Sequence, residues 1–342
     1  MNFRNVRLSR MAAKLAAVAL AMGLATTADA REMRFSSWES AQGFLSSKIL
    51  QAWIDEVNPQ LSDGASFKLY PGAILGAPPA QQELVKKGVA DVAMVGPTQT
   101  PGLFPLSTIV EVPFLAQNSA NGTKILQTLL DDGLLGKEYE DFKVIGLFST
   151  ATFNPMTRSK PVELPADLQG LRMRSASPFM SHLMTIGGGS GVAVPPPAVY
   201  ESLERNVVDG ALWTADAYNS FRLDEMAPNF TMVNFTASPL AILMNKRTYD
   251  GLSEADRAVI DSRSGKWFAE WVSKIVDDFD QEQLSLMEKN PKVNLIVPEG
   301  EKLDQWLKAY ANAGQDWVDA QKEFDVDAAP ALKRAQEVSS GK

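Results

Sequence analysis

Residues 168–213 read LQGLRMRSASPFMSHLMTIGGGSGVAVPPPAVYESLERNVVDGALW. The order is strand, helix, strand, helix, strand, with almost no spare residues between elements. Leu171 and Met173 alternate with Arg172 and Arg174, the period of a strand, and put both arginines on one side. Val207-Val208-Asp209-Gly210 reads as a short apolar strand that breaks at Gly210 and leads into Trp213. In open α/β sheets small ligands sit beyond the carboxyl ends of strands, so Arg174 and Trp213 both stand where a ligand would be. An arginine there presents a rigid fork of donors that fits a carboxylate bidentately.

The same alternation extends outward. Glu32–Ser36 reads as a strand, followed by a helix carrying Phe44, Ile49, Trp53, Ile54 and Val57 at helical spacing. Phe67–Tyr70 is a strand, Pro79–Lys87 a helix with Gly88 as its C-cap, and Val92–Val95 and Val144–Phe148 are further buried strands. Leu240–Met244 is an apolar strand expected to return to the first half of the molecule. One long helix is expected from Ser253 to about Glu288, with Val259, Ile260, Trp267, Trp271, Ile275, Phe279 and Leu284 mostly three or four apart. A polar amphipathic helix around Trp306 and Tyr310 is expected to pack on the outside, and Ser339–Lys342 to fray. Strands alternating with helices predict an α/β fold of sheets covered by helices.

Leu168-Gln169-Gly170-Leu171-Arg172-Met173-Arg174, Val199-Tyr200-Glu201-Ser202-Leu203 and Val208-Asp209-Gly210, with Tyr70–Gly76 and Leu84–Asp91 before them, resemble the solute-binding proteins of tripartite ATP-independent periplasmic (TRAP) transporters, the DctP family. Order and spacing agree from about residue 33 to about residue 320. The resemblance implies a two-lobed periplasmic binding-protein fold, type II-like, with mixed sheets and a long helix bridging both lobes. Residues 31–151 with 240–279 are read as the first lobe, 152–239 with 280–320 as the second, and 321–342 as a C-terminal helix and tail. It further implies capture of a small organic acid, no cofactor, and delivery to a permease of small and large membrane subunits driven by an ion gradient.

Arg174 aligns with the family's carboxylate-binding arginine. Three departures bear on the ligand: many acid-sugar binders carry a second arginine at the place of Asn154, an asparagine at Trp213, and charged groups at Gly96 and Gln99. The implied site is therefore Arg174 framed by Trp213, Phe153, Asn154, Phe179, Trp38, Gly96, Thr98, Gln99, Pro196 and Ser238. With a single cation, a second carboxylate on the ligand would lie unpaired, at a cost. A monocarboxylate with an apolar or aromatic body is expected, its ring resting between Trp213 and Phe179.

The ends and the charge narrow the class. Arg4, Arg7, Arg10 and Lys14, the apolar run Leu15–Leu24 and Ala28-Asp29-Ala30 read as a cleavable signal peptide over residues 1–30. The run is shorter than the ~20 residues of a spanning helix. Removing this leader, with four positive charges and one negative, takes the net charge from −8 to −11 and leaves 312 residues starting at Arg31. Such a chain is a poor partner for nucleic acid or anionic membranes; a periplasmic monomer is expected. It contains no cysteine and one histidine, His182, which cannot anchor a zinc site or a Ser/His pair alone.

Other motifs read as structural. The run Gly187–Gly191 lacks a P-loop lysine and precedes a strand, so it reads as a flexible connection. Pro195-Pro196-Pro197 reads as a shaped loop. Asp209 reads as a turn residue, and neither it nor Asp216 has an obvious acidic partner for acid–base work. A binding protein is thus favoured over a periplasmic enzyme acting on an organic acid. A sensory subunit feeding a receptor kinase stays open as an alternative to permease delivery.

Overall fold

Eleven strands divide between two sheets in the computed structural model, which describes residues 31–341 apart from Asp63. The signal-peptide reading concerns residues 1–30 and lies outside the described part. The first sheet contains β1 (Arg31–Ser36), β2 (Ala65–Tyr70), β3 (Val92–Val95), β4 (Phe142–Ser149) and, late in the chain, β10 (Pro239–Asn245), in the order β2-β1-β3-β10-β4. β1 runs parallel to β2 and β3, while β10 inserts antiparallel between β3 and β4. Every residue of β10 is buried, because both of its edges and both of its faces are covered.

The second sheet holds β5 (Asn154–Thr157), β6 (Arg172–Ser175), β7 (Ser190–Ala193), β8 (Gly210–Trp213), β9 (Asn229–Thr231) and β11 (Asn294–Ile296), in the order β11-β9-β5-β8-β6-β7. β8 starts at Gly210 instead of ending there. A Cβ on Gly210 would lie 2.4 Å from the Met156 carbonyl oxygen and 2.9 Å from the Met173 sulfur, so only glycine lets β5, β6 and β8 meet. Trp213 is consequently the last residue of a strand, and Val207 outside it is exposed. The Gly187–Gly191 run is packed, not loose: Cβ atoms at Gly187, Gly189 and Gly191 would approach backbone atoms of Pro165, Leu168 and Ser181 to within 2.8 Å.

Two chain segments cross between the sheets side by side. Thr150 N donates to Ser238 O at 2.9 Å and Phe153 N to Thr236 O at 2.6 Å, so both crossings form one short antiparallel strip. A third link is helical. The expected single helix is in fact two, Glu254–Ser262 and Lys266–Lys289, because Gly265 adopts φ 58° and gives its N–H to Ile145 O. The 24-residue helix spans about 36 Å. Its start packs on the first sheet, with the Phe268 ring over Gly146, and its far end reaches the second lobe, where Asn219 Nδ2 donates to Gln283 Oε1 at 2.8 Å.

The C-terminal region also departs from expectation. Trp306 and Trp317 are fully buried, and Phe235 packs edge-on against Trp306 and Tyr310, so these helices complete a core instead of decorating it. The last helix, Ala329–Ser339, lies against Ser119–Asp131 of the first lobe, with Arg334 paired to Asp132 at 2.8 Å and Ser339 Oγ bonded to Leu115 O. Ser339 is thus held, not frayed.

A Cβ on Gly146 would fall 2.1 Å from the Phe268 ring. Gly146→Ala should therefore lose on the order of 1–3 kcal/mol through overpacking, read as a lower midpoint in thermal or urea unfolding. The loss should shrink in the Phe268→Ala background, a coupling visible in a double-mutant cycle.

Candidate functional site

Arg174 stands near the end of β6, between β7 and β8, in register with Val192 and Ala211. Its side chain is 1% exposed. Nε donates to Val194 O at 3.0 Å and Nη1 to Leu212 O at 3.3 Å, while the guanidinium lies 4.3 Å from the centre of the Trp213 ring. Among the described residues it has no carboxylate partner, and burial alone pulls its pKa down to about 9. Arg172, two residues earlier, is exposed and fully engaged: Nε and Nη2 reach the two oxygens of Asp209 at 2.9 and 2.8 Å. Asp209 also accepts the Arg172 N–H, and the Arg172 side chain holds its carboxyl below the usual range. One arginine is spent on the fold; the other is free.

The free one faces a compact cavity of about 80 Å³ between the lobes. The first sheet's side contributes Trp38, Gly96, Thr98 and Gln99, the crossing strip Phe153 and Ser238, and the second lobe Pro196 and Trp213. The bare Cα of Gly96 leaves room for the folded Gln99 side chain, whose Cγ a Cβ would meet at 2.9 Å. Residues 37–320 match the model of the bacterial extracellular solute-binding proteins, family 7 (DctP).

The chain belongs to that family. It is 27% identical over 257 residues to the 2,3-diketo-L-gulonate-binding periplasmic protein YiaO of Escherichia coli K12, covering 72% of this chain and 78% of the relative. A TRAP solute-binding protein from a marine metagenome, specific for aromatic acid ligands and solved with metahydroxyphenylacetate, superposes with a TM-score of 0.86 at 26% identity. The match covers 91% of this chain and 98% of the other. A TRAP solute-binding protein of Rhodoferax ferrireducens T118, solved with copurified benzoate, shares the fold with a TM-score of 0.85 at 22% identity, over 91% and 98% of the two chains. The two-lobed architecture is thus that of TRAP-type periplasmic solute-binding proteins, and no described helix is long and apolar enough to cross a membrane.

Within this family 7 protein, two residues expected at the site are elsewhere. Asn154 is buried and committed to the crossing strip: Oδ1 accepts from the Val233 and Asn234 N–H groups at 2.8 and 2.9 Å, and Nδ2 donates to Thr152 O. Phe179 lines a second, wider groove of about 630 Å³ that also carries His182 and Phe324, and it is buried in the first turn of the helix Pro178–Ile186. Trp213 is at the cavity, with the Arg174 guanidinium 4.3 Å from its ring centre and a stacked Phe221 ring at 4.8 Å.

Three acidic groups gather here, so Asp216 does have acidic neighbours, contrary to the expectation from sequence. Glu39 and Asp216 line the same cavity, and Asp280 lies behind them on the bridging helix. Burial, with help from Asp216, pushes both Glu39 and Asp280 up to about 7. No sequence pattern pairs these residues, which come from three separated segments. A fourth acid, Glu111, is wholly buried beside the crossing strip. It accepts from Ser177 Oγ at 2.8 Å while Oε1 has no partner, and burial raises it to about 8.

These shifts have a definite sign. A carboxyl raised from the ordinary 4.5 to about 8 keeps its proton in the folded chain where the unfolded chain has released it. The stability it allows is intact below about pH 4.5 and is lost as pH rises toward 8. Glu39 and Asp280 add to the slope up to about pH 7. The unliganded protein should therefore melt at progressively lower temperature from pH 5 to pH 8, and Glu111→Gln should flatten that decline. A midpoint rising over the same range would contradict the assignment.

Proposed function

We propose that this protein captures a small organic monocarboxylate in the periplasm, closes its lobes over it, and presents the closed form to a TRAP permease of two membrane subunits. The buried, unpartnered guanidinium of Arg174 carries this reading. An isolated buried cation is costly, and a bidentate carboxylate is the partner that matches its fork. Trp213 and the carbonyls of Val194 and Leu212 hold that fork at the cavity wall before any ligand arrives. Preorganisation of this kind lowers the cost of binding.

An aromatic or other flat acid fits the remaining walls, which offer Trp38, Phe153 and Leu240 and no second cation. The aromatic-acid specificity of the metagenome relative supports the same class. The protein acts by binding alone, as a monomer. Closure follows because the ligand bridges groups from both lobes and so binds the closed form more tightly.

Calorimetric titration of the mature protein with benzoate-like acids, short hydroxy and keto acids, C4-dicarboxylates and uronates tests the ligand class; aromatic monocarboxylates should bind most tightly. Arg174→Ala should weaken binding by a hundredfold or more, in line with the roughly 2–5 kcal/mol lost when one partner of a buried charge pair is truncated. Arg174→Lys should also bind poorly, whereas Arg172→Ala should bind as the wild type does. Small-angle scattering should show a smaller radius of gyration with ligand. Unchanged affinity in Arg174→Ala, or conversion of the ligand to a product, would refute the proposal.

A further inference from the structure

The cavity is polar at two places of opposite sign. Arg174 is a cation without an anion. Glu39, from the first lobe, and Asp216, from the second, line the same cavity, where Arg174 is the one basic residue among the described walls. The contacts of Arg174 are the Val194 and Leu212 carbonyls and the Trp213 ring, not these acids. The bonds these acids do make are local. Glu39 Oε2 accepts the Ser46 N–H at 2.7 Å, and Asp216 accepts from the Thr214 hydroxyl and the Ala217 N–H beside it. A carboxyl group has about four acceptor positions, so each retains capacity toward the cavity. Trp38 adds a further loose end, since its Nε1 is buried in the same wall with no acceptor. An entirely apolar ligand body would leave Trp38 Nε1 without an acceptor and the remaining acceptor positions of the two acids unfilled, which is costly in a closed site.

We propose that the bound acid carries a hydroxyl group on the end remote from its carboxylate, and that Glu39 and Asp216 receive it together, one from each lobe. This rests on the reading of Arg174 as the partner of the carboxylate.

A hydroxyl matches better than an ammonium. Each of the two acids is raised by burial, and Asp216 adds to the rise in Glu39, so the pair holds a proton near neutral pH. A carboxyl sharing its site with a carboxylate both donates and accepts. A hydroxyl does the same, whereas an ammonium only donates. The arrangement also makes the ligand a strut between lobes. Its hydroxyl spans Glu39 and Asp216, which lie on opposite sides of the closing cleft.

The test compares benzoate, its three monohydroxy isomers and an aminomethyl benzoate by calorimetry, on the wild-type protein and on Glu39→Gln and Asp216→Asn. At least one hydroxy isomer should bind about tenfold or more tightly than benzoate, the scale of a hydrogen bond to a charged group. That ratio should fall to within about twofold in each variant. Benzoate binding as tightly as every hydroxy isomer would overturn the hydroxyl assignment while leaving the role of Arg174 standing. Preference for the aminomethyl acid would overturn it in favour of a cationic end. If no aromatic acid bound the wild type, the parent reading would fall and this one with it. The wild-type ratios decide the question even if a variant folds poorly.

Discussion

A full positive charge held almost out of water is the constraint around which this molecule is arranged. Arg174 cannot be neutralised by its neighbours, which offer two carbonyl oxygens and an aromatic face but no carboxylate. Such groups soften the loss of hydration without cancelling it. In a closed and empty cleft the guanidinium carries that burden alone. When the lobes separate, water can reach it. The unliganded chain therefore has an electrostatic reason to favour opening, which the anion proposed above would reverse by supplying what the fold withholds. A protein whose interior is incomplete without its ligand needs no other device to distinguish the loaded state from the empty one.

The surroundings of that charge were legible to different degrees. The place of Arg174 near a strand end was readable from the alternation of Leu171 and Met173 with the two arginines, and the return of Leu240–Met244 from its unbroken apolar run. Gly88 was readable because a left-handed C-cap is a local demand, met at φ 72°. Asn154 and Phe179 were not. Both sit within a residue or two of correctly read elements, but which wall a side chain faces depends on the neighbour it packs against: Val233 and Asn234 for the first, the groove beside Phe324 for the second. The break at Gly265 was hidden for the same reason, since apolar spacing continues across it and only the bond to Ile145 O reveals the interruption. Trp306 looked peripheral because its helix is polar on most sides, although its one buried residue is a large one.

The acids tell a related story. In a chain of net charge −8 carboxylates are so many that Glu39 and Asp280 pass unnoticed and Asp216 shows no obvious acidic partner. Glu39, Asp216 and Asp280 become distinctive only once the turn after β1, a short helix and the bridging helix bring them together, where burial raises all three and the charge of Asp216 adds to the rise in the other two. The cleft is thereby graded from cationic to acidic across a short distance, and this gradient orients a ligand as well as holding it.

The bridging helix adds a mechanical side to this picture. Its first half is keyed into the sheet of one lobe by Phe268, its Phe279 ring stacks on Phe44 at 4.1 Å, and its far end is bonded to the other lobe through Gln283. Fixed at both ends, it cannot swivel freely when the lobes move; it has to flex, as a leaf spring does. Stiffness along this helix, which meets the cavity at Val276, would set how long the closed state lasts.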